Sequence, residues 1–353
     1  MVVRLATAAL ASSVDTFFGK VALGRSKASR ARSKAESLDH AARMRVLESL
    51  VARNESLPRD PRAFFERAGD PGALRERFVR ALPHGRVADV EWRSGYAPIA
   101  PESDVRERYL SRPANEVAHA RLWLHDRPRP AVLLIHGYMG GRYGVEERAW
   151  PMRWLFDRLG LDLALPVLPH HGPRGERGRR PLFPSSDPRI NLEGFRQAIF
   201  DLMQLARVLR ERGTPVGVMG MSLGGYTSAL MATADSELAF AVPVIPLASI
   251  ADFARDGGRL VGTEQERREQ HEGVERAHAP VAPLARPPLV APERMRVIAG
   301  EADRITPKAH AERLAAHFQA PLVTVAGGHL LQLGRAEGFR EVARMLRLRG
   351  VIG

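Results

Sequence analysis

Short apolar runs alternate along the chain with longer segments in which apolar residues recur at helical spacing. The run at 131–135 predicts a strand that is buried on both faces, and the runs at 163–168 and 322–326 predict further strands. Residues 191–212 carry apolar side chains every three or four positions, which predicts an amphipathic helix that ends at Gly213. Strands and helices in alternation are typical of a parallel sheet covered by helices on both faces, so the pattern predicts an α/β fold.

The first part of the chain has a different pattern. Residues 1–84 carry apolar side chains at helical spacing and end in a Pro-His-Gly turn, so we predict an N-terminal helical extension over 1–84. The main domain is then predicted over 85–353. Strand-like patterns at 87–92 and 115–125 open that domain before the first buried run.

The sequence Gly220-Met221-Ser222-Leu223-Gly224 stands between an apolar run and a helix-compatible segment. A G-x-S-x-G sequence in this context is typical of a nucleophile elbow, a turn so tight that glycines stand beside the serine. The turn strains the serine backbone and directs its hydroxyl out of the fold. The motif predicts a covalent nucleophile at Ser222, and a chance match in a chain with 31 glycines is the alternative.

A serine hydroxyl becomes a nucleophile when a base takes its proton and an acid orients that base. In this kind of site the acid and then the histidine follow the serine along the chain. Asp303 follows the apolar run at 295–299, and His329 follows the run at 322–326. We therefore predict Asp303 as the orienting acid and His329 as the base, with Asp252 as an alternative acid.

The oxyanion of an acyl-transfer reaction needs hydrogen-bond donors that are already in place. One expected donor is the backbone N–H of Leu223, directly after the nucleophile. The other is expected in the loop after the run at 131–135, where Gly137 allows a tight turn and the N–H of Tyr138 can face the site. His136 precedes the nucleophile and is interpreted as a structural support of this loop.

These motifs resemble the α/β-hydrolase family, in its serine-nucleophile branch. The resemblance covers the chain from about residue 85 to the end and depends on residues 135–138, 220–224, 300–303 and 328–329. It implies the α/β-hydrolase fold, with a mostly parallel central sheet flanked by helices. It also implies the catalytic and oxyanion roles given above. Serine in place of aspartate at the nucleophile position argues against the haloalkane dehalogenase and epoxide hydrolase branches.

Two insertions are expected near the catalytic edge. Residues 250–294 are charged and then proline-rich, and in the resembling family such a segment is typically a cap over the pocket. The loop at 170–188 is rich in arginine, which predicts either a basic rim for an anionic substrate or a solvated charged loop. The candidate substrate or rim residues are Met139, His170, His171 and Arg174. Adjacent histidines without carboxylate partners do not favour a metal site, so we expect none.

The N-terminal segment is strongly basic. Residues 1–34 contain seven Arg or Lys side chains against a single acid, Asp15. Three interpretations remain open: peripheral contact with an anionic membrane, a transit-peptide-like leader, or an ordinary helix packed on the domain with a solvated basic tail. The apolar stretch at 5–14 is too short and too rich in Ala and Ser for a transmembrane helix.

Composition limits the kinds of site and partner that the chain can have. The 353 residues have a net charge of +13 and no cysteine, so disulfides and thiolate metal sites are excluded. Arginines are scattered among glutamates without interleaved aromatic residues, so we expect no nucleic-acid partner. A cytoplasmic location, with membrane contact left open for residues 1–34, is the expectation.

The sequence thus predicts a serine hydrolase that cleaves carboxylic esters or thioesters of small molecules or lipids through an acyl-enzyme, without a cofactor. A lipid-like or anionic substrate is compatible with the basic loop. The alternatives are a peptidase or an acyltransferase of the same fold, and a non-catalytic protein that uses the pocket as a receptor. An active-site serine probe and an ester panel distinguish these classes.

Overall fold

The computed structural model describes Asp15 and residues 39–57, 60–65 and 70–353. One sheet contains nine strands in the described part of the chain. In chain order these are β1 (Arg75–Leu82), β2 (Gly85–Arg93), β3 (Val117–His125), β4 (Ala131–Ile135), β5 (Asp162–Pro166), β6 (Val216–Met221), β7 (Ala241–Val244), β8 (Val297–Gly300) and β9 (Leu322–Val325). The spatial order is β1-β2-β3-β5-β4-β6-β7-β8-β9.

Helices cover this sheet and occupy its connections. They are α1 (His40–Glu55), α2 (Pro61–Phe64), α3 (Ser103–Leu110), α4 (Tyr143–Ala149), α5 (Pro188–Arg210), α6 (Leu223–Ala232), α7 (Ile250–Asp256), α8 (Glu264–His278), α9 (Lys308–Phe318) and α10 (Arg335–Leu348). A π-helical turn at Trp154–Arg158 and short 3-10 turns complete the connections. No helix in these described ranges is long and apolar enough to cross a bilayer.

The parallel part of the sheet explains where the site can form. Strands β4 to β9 pair in parallel, and β4 lies between β5 and β6 with Ile135 opposite Gly220. Every residue of β4, β5 and β6 is buried, as expected for strands with helices on both faces. Because parallel strands end at the same edge, the loops after β4, β6, β8 and β9 come together there.

The helical pattern expected up to residue 84 ends earlier, because residues 75–82 form strand β1 of the sheet. Residues 83–84 form the turn of a hairpin that joins β1 to β2. The first four residues of β1 are exposed, and Arg75 pairs with Glu91 across the hairpin at 2.8 Å. An edge strand with a solvated face has little apolar periodicity, which is why its sequence did not predict a strand.

The predicted insertion at 250–294 forms α7, α8 and three 3-10 turns between β7 and β8. Helix α1 of the N-terminal extension packs against α8. Asn54 Nδ2 donates to the carbonyl of Ala277 at 2.7 Å, and Arg43 Nη1 donates to Gln270 Oε1 at 3.3 Å. A Cβ on Gly273 would lie 3.0 Å from Leu47 Cδ1, so the two helices approach closely. Except for Asp15, the basic segment 1–34 lies outside the described residues.

Candidate active site

Ser222 stands at a sharp turn between β6 and α6. Its backbone has φ 57° and ψ −114°, a conformation that residues other than glycine rarely adopt. The Ser222 N–H donates to the carbonyl of Val244 on β7 at 3.0 Å, which anchors the turn to the neighbouring strand. The strained serine at this strand-to-helix turn has the geometry of the predicted elbow.

The flanking glycines are required by close approach of the backbone. A Cβ on Gly220 would lie 1.9 Å from the carbonyl oxygen of Gly224, and one on Gly224 would lie 2.2 Å from that of Ile135. Both distances are far inside van der Waals contact, so only glycine fits either position. The two glycines of the G-x-S-x-G sequence are therefore a packing requirement of this turn.

The two predicted oxyanion donors belong to two segments that meet at Ser222. Leu223 is the first residue of α6, and Tyr138 lies in the turn after β4. Neither backbone N–H has a hydrogen-bond acceptor within the described ranges. The loop carrying Tyr138 is close to the serine, since a Cβ on Gly137 would lie 3.5 Å from Ser222 Cβ. Two unpaired N–H groups beside a strained serine are suited to receive an oxyanion.

His136 supports the loop that carries Tyr138. Its Nδ1 donates to the carbonyl of Gly137 at 2.7 Å, and its Nε2 accepts from the N–H of Leu168 at 3.0 Å. Burial lowers the pKa of His136 to about 4. Both ring nitrogens are thus engaged in a neutral imidazole, which supports the structural role expected from the sequence.

Asp303 and His329 meet at the same edge. Asp303 follows β8, His329 follows β9, and His329 Nδ1 donates to Asp303 Oδ2 at 2.8 Å. Asp303 Oδ1 accepts from the N–H groups of Ile305 and Thr306 at 2.9 and 2.8 Å. The carboxylate is thereby fixed on one side by its own loop and bound to the imidazole on the other.

Thr306 is a neighbour of this pair that the sequence analysis did not single out. Its hydroxyl lies 3.0 Å from Asp303 Oδ2 and 3.0 Å from His329 Nδ1, and it is also 3.0 Å from the carbonyl of Ile245. The sequence signal that could have identified Thr306 is Asp-x-x-Thr-Pro at 303–307, because a turn of this kind brings the threonine hydroxyl back to the aspartate carboxylate.

The serine and the histidine come from adjoining loops. Gln332 Nε2 donates to the carbonyl of His329 at 3.3 Å and contacts Met221 Sδ at 3.6 Å, so one side chain spans the two loops. Among the contacts of the described residues, none joins Ser222 Oγ directly to the imidazole. Such catalytic hydrogen bonds often tighten only when substrate binds.

Asp252, the alternative acid, is not part of this arrangement. It lies in α7, where His271 Nε2 is 2.9 Å from Asp252 Oδ1 and Arg313 contacts Asp252 Oδ2. Although burial acts in the opposite direction, hydrogen bonds from His271 and Arg313 lower the pKa of Asp252. With Glu275 these groups lie close enough to surround an ion, but the guanidinium of Arg313 already contacts both carboxylates.

Three of the four residues predicted to form a substrate rim are buried, so the prediction is wrong for them. His170, His171 and Arg174 are each 0% exposed, so they cannot form a solvent-facing surface. Arg174 instead pairs with the buried Asp201 at 2.7 Å, and burial lowers the pKa of His170 to about 3. Met139 is the exposed member, with 52% of its surface accessible.

The exposed part of this loop lies further along the chain, at Arg177, Arg179 and Arg180. Arg179 pairs with Glu176 at 2.9 Å. Burial raises the pKa of Tyr138, and the positive charges of Arg180 and Arg259 act in the opposite direction. The charges of both guanidinium groups therefore act on the side chain of the residue whose backbone N–H is the predicted oxyanion donor.

Comparison with known proteins identifies the fold. No protein-family model matches the chain. Over 281 residues it is 34% identical to uncharacterised proteins from two strains of Mycobacterium tuberculosis, and the match covers 76% of this chain. The chain spans 66% of the length of these relatives, slightly less than two thirds.

Solved structures with a similar fold include acetyl xylan esterase 1 from a Thermoanaerobacterium species, with a TM-score of 0.56 and 18% identity over 83% of this chain and 94% of that chain. An acetyl xylan esterase from a Paenibacillus species has a TM-score of 0.56 and 17% identity over 84% and 96% of the two chains. Together with the mostly parallel nine-stranded sheet, these likenesses confirm the predicted α/β-hydrolase fold.

Proposed function

We propose that the protein is a serine hydrolase of carboxylic esters or thioesters. The observation that carries this proposal is the strained Ser222 at the end of β6, with two unpaired backbone N–H groups beside it and the Asp303–His329 pair on an adjoining loop. Covalent catalysis by serine needs these three parts, namely a nucleophile, an oriented base and donors for the oxyanion.

In the proposed reaction the substrate carbonyl lies against the N–H groups of Tyr138 and Leu223. His329 takes the proton from the Ser222 hydroxyl, and the Ser222 oxygen forms a bond to the carbonyl carbon. The tetrahedral intermediate collapses to an acyl-enzyme when the alcohol or thiol leaves with that proton. Water, activated by His329, then attacks the acyl-enzyme and releases the acid. Asp303 orients the imidazole and stabilises its protonated form.

The substrate class proposed first is a short acyl ester. The two neighbours of similar fold are acetyl xylan esterases, so acetyl esters are a reasonable starting point for a substrate panel. We extend the proposal to substrates with an anionic group, because Arg177, Arg179 and Arg180 are exposed on the loop after β5 and the charge of Arg180 acts on Tyr138. Lipid-like esters belong in the same panel. We also propose peripheral membrane contact through residues 1–34.

The test combines a fluorophosphonate probe with a panel of acetyl, longer acyl, anionic and thioester substrates. Wild-type protein is expected to be labelled and to hydrolyse esters, whereas Ser222→Ala is expected to lose the label and about four to six orders of magnitude in kcat. Ser228→Ala is the matched control, because this buried serine lies six residues after Ser222, on α6, and its hydroxyl donates to the carbonyl of Gly225 at 2.9 Å. It should keep both activities.

The remaining classes are separated by the same measurements. Cleavage of peptides but not esters would favour a peptidase, and acyl transfer to an added alcohol in preference to water would favour an acyltransferase. Absence of both labelling and turnover in folded wild-type protein would favour a non-catalytic receptor. Salt-sensitive binding to anionic vesicles would support membrane contact, and its absence would contradict it.

A further inference from the structure

Asp15 links the far N-terminus to the loops that carry the acid and the base. Its side chain is 0% exposed. Asp15 Oδ2 accepts from the N–H of His329 at 2.5 Å and from that of Arg304 at 3.3 Å, and Oδ1 accepts from the N–H of Leu330 at 2.9 Å. It is also the single acid in the basic segment 1–34.

The three N–H groups that Asp15 binds belong to the loops of the candidate site. His329 is the proposed base, and Arg304 directly follows Asp303, the proposed orienting acid. One carboxylate therefore binds the backbone of His329 and that of the residue after Asp303, and the side chains of Asp303 and His329 meet at 2.8 Å. A buried carboxylate is costly unless hydrogen bonds compensate it, and three backbone donors provide that compensation.

We propose that Asp15 is a positioning residue, which fixes the His329 loop against the Asp303 loop so that the imidazole stays aligned with Ser222. This inference rests on the proposed serine-hydrolase function. Asp15 touches no reacting atom and acts through the backbone at residues 304 and 329–330. Misplacement of a catalytic group by about 1 Å can reduce turnover by about a hundredfold, so loss of this anchor should affect the chemical step.

The variant Asp15→Asn tests this with little change in shape, because it replaces one carboxylate oxygen by an amide nitrogen that cannot accept a hydrogen bond. We expect the rate of fluorophosphonate labelling and kcat to fall about ten- to hundredfold, with KM changed less than about threefold. Asp39→Asn is the matched control, since Asp39 is also in the extension and accepts a backbone N–H, that of Ala42, at 2.7 Å. It should label at the wild-type rate.

Hydrogen exchange supplies a readout that does not depend on catalysis. In the Ser222→Ala background, Asp15→Asn should accelerate amide exchange in a peptide that covers residues 326–334, and Asp39→Asn should not. Wild-type labelling together with unchanged exchange would overturn the proposal for Asp15. If the wild-type protein is not labelled at all, the serine-hydrolase proposal fails, while the exchange comparison still decides whether Asp15 holds the loop.

A second variant covers the case in which Asp15→Asn loses the native circular dichroism spectrum. Asp15→Glu keeps the charge but lengthens the side chain by one methylene, which shifts the acceptor oxygens away from the three N–H groups. Labelling slower than wild type in a folded Asp15→Glu protein supports the proposal, and a wild-type rate contradicts it.

Discussion

Two loops that carry histidines follow strands of the same parallel region, and their histidines differ in burial and in hydrogen-bond partners. After β9, His329 donates to Asp303 at 2.8 Å and keeps 8% of its surface exposed. After β5, His170 and His171 are fully buried, and burial lowers the pKa of both. Both loops contain glycine beside the histidine, so position after a strand does not by itself decide what surrounds a histidine.

The difference lies in the partners of each loop. The loop after β9 meets a carboxylate that its own loop fixes, whereas the loop after β5 meets Arg174, whose positive charge disfavours protonation of nearby imidazoles. Asp201, the buried carboxylate of this region, is paired with Arg174 at 2.7 Å. A carboxylate beside a histidine favours the protonated imidazole, and a buried arginine beside a histidine disfavours it.

The largest expected effect comes from exchanging each histidine for asparagine. His329→Asn should lower kcat by about four to six orders of magnitude, because the base is lost. His170→Asn should leave kcat within about tenfold of wild type and lower the free energy of unfolding by about 1–3 kcal/mol. Asparagine is suitable at this position because His170 has φ 61°, which asparagine tolerates.

Ester hydrolysis and urea unfolding of both variants check this prediction. A His329→Asn protein with near-wild-type kcat would remove the base from the proposed mechanism. A His170→Asn protein that is folded and inactive would show that the two loops are not functionally different.

The second expected effect is a dependence of the free energy of unfolding on pH. His136 and His170 have native pKa values lowered to about 4 and about 3 by burial, against an ordinary value of 6.5. Between pH 7 and pH 5 the unfolded chain therefore binds protons that the native state does not, so stability falls as the pH falls. At pH 5 each such histidine costs about 2 kcal/mol relative to pH 7.

His170→Asn sharpens the comparison, because it removes one of these groups. The difference in the free energy of unfolding between pH 7 and pH 5 should be about 2 kcal/mol smaller in this variant than in wild type. Urea unfolding at the two pH values measures it. An equal pH dependence in both proteins would mean that His170 is not held neutral by burial.

Much of the parallel region could be predicted from sequence because burial on both faces produces uninterrupted apolar runs. The run at 131–135 coincides with β4, and the helix predicted at 191–212 corresponds to α5. Strand β1 could not be predicted in this way. Its exposed face carries charged residues, and its pairing with β2 depends on a partner that the local sequence does not reveal.

The candidate site was predictable to a similar degree. Asp303 and His329 were found because chain order and strand ends constrain them, and the structure brings them together. The burial of His170, His171 and Arg174 was not predictable, because their charge suggested solvent while their partners lie far along the chain. The contact of Asp15 spans 314 residues to His329, a separation that no local pattern encodes.

The smallest expected effect tests what holds the loop after β9 in its active arrangement. Thr306→Val keeps the side-chain shape and removes the hydroxyl that lies 3.0 Å from both Asp303 Oδ2 and His329 Nδ1. Because a single hydrogen bond to a charged group is lost while the backbone N–H of residue 306 still binds Asp303, kcat should fall about tenfold with little change in KM. Thr233→Val is the matched control, since its hydroxyl donates to the carbonyl of Leu230 at 2.8 Å and accepts from Arg286 Nε at 3.0 Å, at the end of α6 opposite Ser222. Equal kcat values for the two variants would mean that the Asp303–His329 pair is aligned without Thr306, and that the carboxylate alone distinguishes this loop from the loop after β5.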